Sequence, residues 1–228
     1  MKTEMLMAEI GSRDIRLPMF QAATRYVDYE CVHGDIVEFG VYTGRSLALL
    51  AHCHLLNCET VHTPVCGRCF IGVDSFRGLP ASTSNPRLRK GVFARNHSYH
   101  PACRIGQKVT PKVTEDLFNR YELGQVTLIK GEYRRLKPFT RHVAIVHIDC
   151  DLARSTFNAL NLVGDMLQDG SVILFDDWFN FKADPYTGEQ SGFKAFQAQP
   201  RIASDFVFVE YQTYATFGKS FIVRKMKV

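Results

Sequence analysis

Four aspartates in two close pairs carry the densest concentration of possible chemistry in this chain. Asp149 and Asp151 close the run V-A-I-V-H-I-D-C-D, and Asp176 and Asp177 close S-V-I-L-F-D-D-W. Carboxylates crowded at one place repel one another, and some stay protonated unless a cation neutralises them. Hard divalent cations such as Mg²⁺ take oxygen ligands, so such a cluster reads as a carboxylate metal site. The competing reading is that some of these acids cap helices or turns, where Asp is common.

The elements that must bring the pairs together are legible around them. Val143–Ile148 and Val172–Phe175 are short, continuous apolar runs, the pattern of strands buried on both faces of a parallel sheet. Between them, Ser155–Leu167 sets Phe157, Leu160, Asn161, Val163 and Leu167 at helical spacing, and Asp169-Gly170 reads as the stop and turn. The unit is a βαβ crossover. Its strands run parallel, so both acid pairs should emerge at one carboxyl edge, where open α/β sheets hold ligands.

A second stretch, Asp35–Gly44, reads D-I-V-E-F-G-V-Y-T-G: a strand ending at Glu38-Phe39-Gly40, a tight turn, then a helix over Arg45–Asn57. Glycines let the backbone turn sharply and approach a ligand. The spacing E-x-G-x-x-x-G is not the dinucleotide fingerprint, which argues against a nicotinamide dehydrogenase, and no P-loop is present. A ligand without phosphates therefore fits better, and S-adenosylmethionine is the candidate. The loop-to-helix turn can donate N–H groups to its carboxylate, and Glu38 can help hold its ammonium. The alternative is a strand-to-helix turn of some other α/β protein. A further strand, Phe70–Asp74, puts Asp74 at its tip, able to accept bonds from two ribose hydroxyls. After a helix over Val113–Tyr121, the strand Val126–Ile129 ends at Lys130-Gly131-Glu132, a loop position commonly near an adenine ring.

Length and composition set the bounds. At 228 residues and 25.9 kDa the chain suits one α/β domain. A net charge of +5, spread along the chain, makes no case for nucleic acid. No apolar stretch approaches the ~20 residues of a membrane span, and the N-terminus lacks the form of a signal peptide. Seven cysteines, an odd number, point to reduced thiols in a cytoplasm. Cys66-Gly67-Arg68-Cys69 is a C-x-x-C knuckle that Cys58 or His62 would complete as a structural zinc site, the less favoured reading of that cluster. Residues 1–33 read as a helical segment interrupted by Pro18, either a cover for the site or a subunit contact, and residues 34–228 as the main domain. Ala81–Pro111 is a long polar loop, a lid whose Arg87, Arg89, Lys90, Arg95, His97, Tyr99 and His100 suit a polar or acidic acceptor, or else a solvated loop. Phe206–Glu210 and Ser220–Val223 form a final hairpin turning at Ala215–Gly218, and the basic end reads as a solvated tail.

Four stretches, G-D-I-V-E-F-G-V-Y-T-G-R-S, G-V-D-S-F-R-G-L-P, H-I-D-C-D-L-A-R-S-T and V-I-L-F-D-D-W, stand in an order and spacing that resembles the macrocin/mycinamicin family of sugar O-methyltransferases, which includes the novobiocin-pathway enzyme. The resemblance runs from Gly34 to Lys225. It implies a class I fold: a Rossmann-like, doubly wound α/β sheet of seven strands with the last antiparallel. It implies dependence on S-adenosylmethionine and Mg²⁺, a small glycoside or saccharide as acceptor, and a homodimer or higher homo-oligomer. It further implies that Asp149, Asp176 and Asp177 hold the metal and that Asp151 is the general base. Cofactor contacts are implied for Glu38, Gly40, Tyr42, Thr43, Gly44, Arg45, Ser46, Asp74, Ser75, Gly131 and Asp149. The chain departs from the family at Ala153-Arg154, where a Tyr-Glu pair is usual, and at Asp169-Gly170, where two glycines are usual. Those departures bear on the acceptor. They keep open a metal-dependent O-methyltransferase of catechol-like phenols and a cofactor-binding protein without catalysis.

Overall fold

The computed structural model describes residues 2–60, 67–80 and 88–226. Seven strands hydrogen-bond into one sheet: β1 (Asp35–Phe39), β2 (Phe70–Asp74), β3 (Val126–Lys130), β4 (Val143–Ile148), β5 (Leu167–Phe175), β6 (Phe206–Tyr214) and β7 (Gly218–Lys225). Their order is β3-β2-β1-β4-β5-β7-β6, with β7 antiparallel to both its neighbours and the other pairings parallel. The apolar runs sit where the sheet is covered on both faces, and every residue of β1 and β4 is buried. Register levels the strand ends. Phe39 pairs with Ile148 and Ile148 with Phe175, so the residues following β1, β4 and β5 emerge side by side.

Helices α2 (Leu17–Tyr29), α3 (Arg45–Thr60) and α4 (Pro111–Tyr121) cover one face, packing Phe20, Leu47, Leu50 and Phe118 against Ile36 and Ile145. Helices α5 (Ala153–Val163), α6 (Gly188–Gln197) and α7 (Pro200–Asp205) cover the other, packing Leu160, Phe193 and Phe196 against Val146 and Phe175. Each such side chain taken fully from water contributes about 1.5–3 kcal/mol, which makes these two layers the rigid frame of the strand tips. Among the described residues no helix is long and apolar enough to cross a membrane.

Three expectations change. Pro18 does not interrupt the N-terminal helices: after α1 (Lys2–Leu6) and a π-turn over Met7–Gly11 it stands in the first turn of α2, where a missing N–H has no partner to lose. Asp169-Gly170 is not the turn before the strand. The chain leaves α5 through a 3₁₀ turn at Gly164–Met166, and Leu167 already begins β5. Val143 pairs with Leu167 but Ile145 with Val172, so the intervening residues bulge, and Gly170 takes φ +88° at the bulge. The loop after residue 87 is built rather than merely solvated: it carries an antiparallel bridge between Arg95 and Lys108, and buried Asn96 donates to the carbonyls of Ser98 (2.8 Å) and Cys103 (2.7 Å). His62, Cys66 and Arg87 lie outside the described residues. Of the other two candidate zinc ligands, Cys58 lies on α3 with its Sγ 3.5 Å from His54 Nε2, and Cys69 immediately precedes β2.

Candidate active site

A cavity of about 1180 Å³ opens at the carboxyl ends of β1, β2 and β4. Gly40, Tyr42, Asp74, Ser75, Asp149 and Asp151 line it. Gly40 has φ +92°, and a Cβ there would collide with the Asp149 carbonyl, so only glycine lets β1 end this close to β4. Asp74 is held by backbone: Tyr42 N–H donates to one oxygen (3.0 Å) and Phe76 N–H to the other (2.7 Å), while burial pushes its carboxyl above the ordinary range. The Tyr42 hydroxyl accepts from His97 N–H (2.8 Å) and donates to the Arg95 carbonyl (3.1 Å), pinning the 88–111 loop beside the cavity.

The other residues expected at the cofactor do not line this cavity. Glu38 is fully buried, its Oε1 2.8 Å from His147 Nδ1. Thr43 and Ser46 are buried, and Gly44 is backed by Thr114. Arg45 donates to the carbonyls of Tyr99 (3.2 Å) and Ile10 (3.5 Å), tying the loop to the N-terminal segment. Gly131 donates its N–H to the Asp74 carbonyl (2.9 Å) and so braces the wall from behind.

The levelled strand ends do bring the acids together. Asp149 N–H donates to the Phe39 carbonyl and Asp176 N–H to the Ile148 carbonyl, each at 2.9 Å. Into this group reaches Arg16, whose Nη1 lies 3.4 Å from Asp149 Oδ2 and 3.2 Å from Asp176 Oδ2, with Asp14 holding its Nη2 (2.8 Å) and Nε (2.9 Å). Asp176 and Asp177 face a smaller pocket of about 260 Å³ that Arg16 also lines. Burial, then Asp176, pushes the Asp149 carboxyl well up; burial, then Asp151, does the same for Asp177. Burial and then Asp149 raise Asp151 to about 7. Burial works to raise Asp176 too, but Arg16 and then His147 outweigh it and hold that carboxyl below 3.8.

Beneath the acids lies His147, fully buried. Desolvation alone would lower its pKa, yet its contacts to Asp176 and Glu38 raise it to about 10, so it is a fixed imidazolium under the cluster. Glu189, also fully buried, accepts the N–H of Asp177 (2.9 Å) and of Cys150 (3.5 Å), and burial keeps its carboxyl well above the usual range. Sequence reasoning passed over Arg16, His147 and Glu189. A titratable side chain inside the apolar run V-A-I-V-H-I was a usable signal for His147. Arg16 and Glu189 carried none.

Among the described residues, the trio of ligating atoms within 4.8 Å of one another is Glu38, His147 and Asp149. Within this trio Glu38 and His147 are already paired with each other at 2.8 Å. Asp149, Asp176 and Asp177 offer hard oxygen donors instead, and Asp176 Oδ1 is buried without a hydrogen-bond partner. That donor chemistry fits a divalent cation, which would compete with the Arg16 guanidinium for the same oxygens.

A sheet of this order with only its last strand reversed, and a ligand-sized cavity at the strand tips, defines a Rossmann-like class I methyltransferase. Solved structures share this fold. The O-methyltransferase NovP aligns with a TM-score of 0.67 at 22% identity, over 92% of this chain and 80% of that one. The calicheamicin methyltransferase CalS11 aligns with a TM-score of 0.65 at 20% identity, over 97% and 91%. A Bacillus cereus O-methyltransferase in complex with SAH aligns with a TM-score of 0.50 at 16% identity, over 99% and 90%. A search of curated proteins finds no match. The model of the macrocin-O-methyltransferase (TylF) family matches residues 4–214, and the chain belongs to that family of S-adenosylmethionine-dependent O-methyltransferases.

Proposed function

We propose that this enzyme transfers the methyl group of S-adenosylmethionine to a hydroxyl of a sugar, with Mg²⁺ at the acid cluster. The observation that carries the reading is the placement of Asp149 and Asp151 in the wall of the large cavity, with Arg16 bridging Asp149 to Asp176 at the neighbouring strand tip. The family's name and the natural-product methyltransferases among its structural neighbours support a glycoside or saccharide acceptor.

A sugar hydroxyl attacks the sulfonium methyl only as its proton leaves. Asp151 takes that proton: a carboxylate with a pKa near the working pH is a better base than an ordinary one, and such help is worth roughly 10²–10⁴-fold. The oxygen–methyl bond forms as the sulfur–methyl bond breaks, and the sulfur leaves as a neutral thioether. Mg²⁺, when held by Asp149, Asp176 and Asp177, supplies a Lewis acid that lowers the hydroxyl pKa. Gly40, Tyr42, Asp74 and Ser75 form the cofactor wall. Burial of the acids excludes water that would otherwise screen them. The N-terminal segment around Arg16 and the loop 88–110 act as covers, the first through Arg16 and the second through Tyr42. The working form is a homo-oligomer of the cytoplasm.

The test is mass-spectrometric detection of methyl transfer from S-adenosylmethionine to sugars and catechols, before and after chelation. Transfer to sugars that EDTA abolishes and Mg²⁺ restores is the expected result. Full activity after thorough chelation eliminates the metal, and transfer to vicinal phenols alone eliminates the sugar.

A further inference from the structure

The tips of β4 and β5 carry the acids, but the ladder between these strands ends where Asp176 donates its N–H to the Ile148 carbonyl (2.9 Å). Past that bond, mutually repelling carboxylates stand on two separate chain segments. Glu189 spans them. It is the second residue of α6 and fully buried; its Oε2 accepts the Asp177 N–H (2.9 Å) and its Oε1 the Cys150 N–H (3.5 Å). Cys150 separates Asp149 from Asp151, and Asp177 follows Asp176, so one carboxylate grips the backbone of both acid pairs.

Packing aims it there. A Cβ on Gly192 would collide with the Ala153 carbonyl, so glycine is what lets α6 lie against the start of α5, just beyond Asp151. Gln190 Nε2 donates to the Trp178 carbonyl (2.8 Å), tying the same turn of α6 to the chain that follows Asp177. Glu189 has backbone amides and no cation as partners among the described residues, and an acid buried without a counter-ion destabilises a fold. Stability therefore does not account for an acid at this position.

We propose that Glu189 is a positioning residue: it fixes the spacing of the β4 and β5 tips so that Asp149, Asp176 and Asp177 meet one divalent cation, with Asp151 held beside them. Repulsion among the acids drives the tips apart, and a single acceptor bonded to both resists it. The inference rests on the reading of the acid cluster as a divalent-cation site.

The experiment titrates purified wild type, Glu189→Gln and Glu189→Asp with Mn²⁺, followed through the electron paramagnetic resonance of the free ion. Calorimetry with S-adenosylmethionine and thermal melts without metal are run alongside. Glu189→Gln keeps the size but turns one of the two acceptors into a donor, whereas Glu189→Asp keeps the charge and both acceptors on a stem one methylene too short. Both should weaken Mn²⁺ roughly 10–100-fold, the usual effect of losing a group that orients metal ligands from behind, with S-adenosylmethionine affinity nearly unchanged. Glu189→Gln should also melt no lower than the wild type, a pairing of kept stability with lost metal affinity that a merely structural role does not produce. Mn²⁺ bound by both variants as by the wild type, weakening in Glu189→Gln alone (an effect of charge, not span), or a loss shared by S-adenosylmethionine and the melting temperature would overturn the proposal while the metal site stands. A wild type that binds no Mn²⁺ removes the metal reading and this inference with it.

Discussion

Replacing Asp151 by Asn tests both the chemistry and the electrostatics of the site. Asp151 is 7% exposed and has φ +57°, a left-handed conformation that Asn accepts at least as readily as Asp, so the substitution removes the charge and leaves the backbone alone. The folded protein holds this carboxyl's proton with a pKa of about 7, against an ordinary value of 3.8. A raised carboxyl pKa means that the folded state binds the proton more tightly than the unfolded state. Stability is therefore greatest in acid, falls as pH rises from about 4 to about 7, and is level above that. At about 1.4 kcal/mol per tenfold change in proton affinity, the whole fall is about 4 kcal/mol, a large share of a typical domain's 5–15 kcal/mol. Urea denaturation of metal-free wild type and Asp151→Asn at about pH 5 and about pH 8 measures it. The variant should gain on the wild type by up to that amount at the higher pH and much less at the lower. In turnover the variant should lose roughly 10²–10⁴-fold with cofactor affinity unchanged. A stability difference independent of pH would refute the electrostatics, and wild-type turnover in the variant would refute the base.

Arg16→Gln removes the cation bridging Asp149 and Asp176; melts without metal should show a loss of about 3–5 kcal/mol that Mg²⁺ largely restores, and equal loss with and without the ion would count against competition for those oxygens. His147 has a raised pKa, so the stability it contributes is complete below its ordinary 6.5 and is lost as pH rises through about 10; His147→Gln should destabilise near neutrality and abolish that alkaline transition in a pH series of melts. Gly40→Ala places a Cβ against the Asp149 carbonyl, and calorimetry of the soluble fraction should find S-adenosylmethionine binding lost even where the fold survives.

The sheet was legible because buried parallel strands announce themselves locally: V-A-I-V-H-I and S-V-I-L-F cannot lie in water, and the acids that follow must stand at their tips. So were the glycine at the end of β1 and the final hairpin, each set by the preferences of neighbouring residues. What packing alone decided is which side chains meet. Arg16 lies 133 residues from Asp149 and 160 from Asp176, and nothing near Arg16 in the chain marks it as their counter-ion. The place of Glu38 in E-F-G-V-Y-T-G gives no sign that β4 brings His147 against it and buries both. Tyr42 faces the cavity while Thr43 and Ser46 face the core, a choice made by backbone angles that motif spacing does not encode. Local sequence determines which elements form and which groups they end in. Register and layer packing determine which charges share a low-dielectric space, and thereby which of those groups keep their protons.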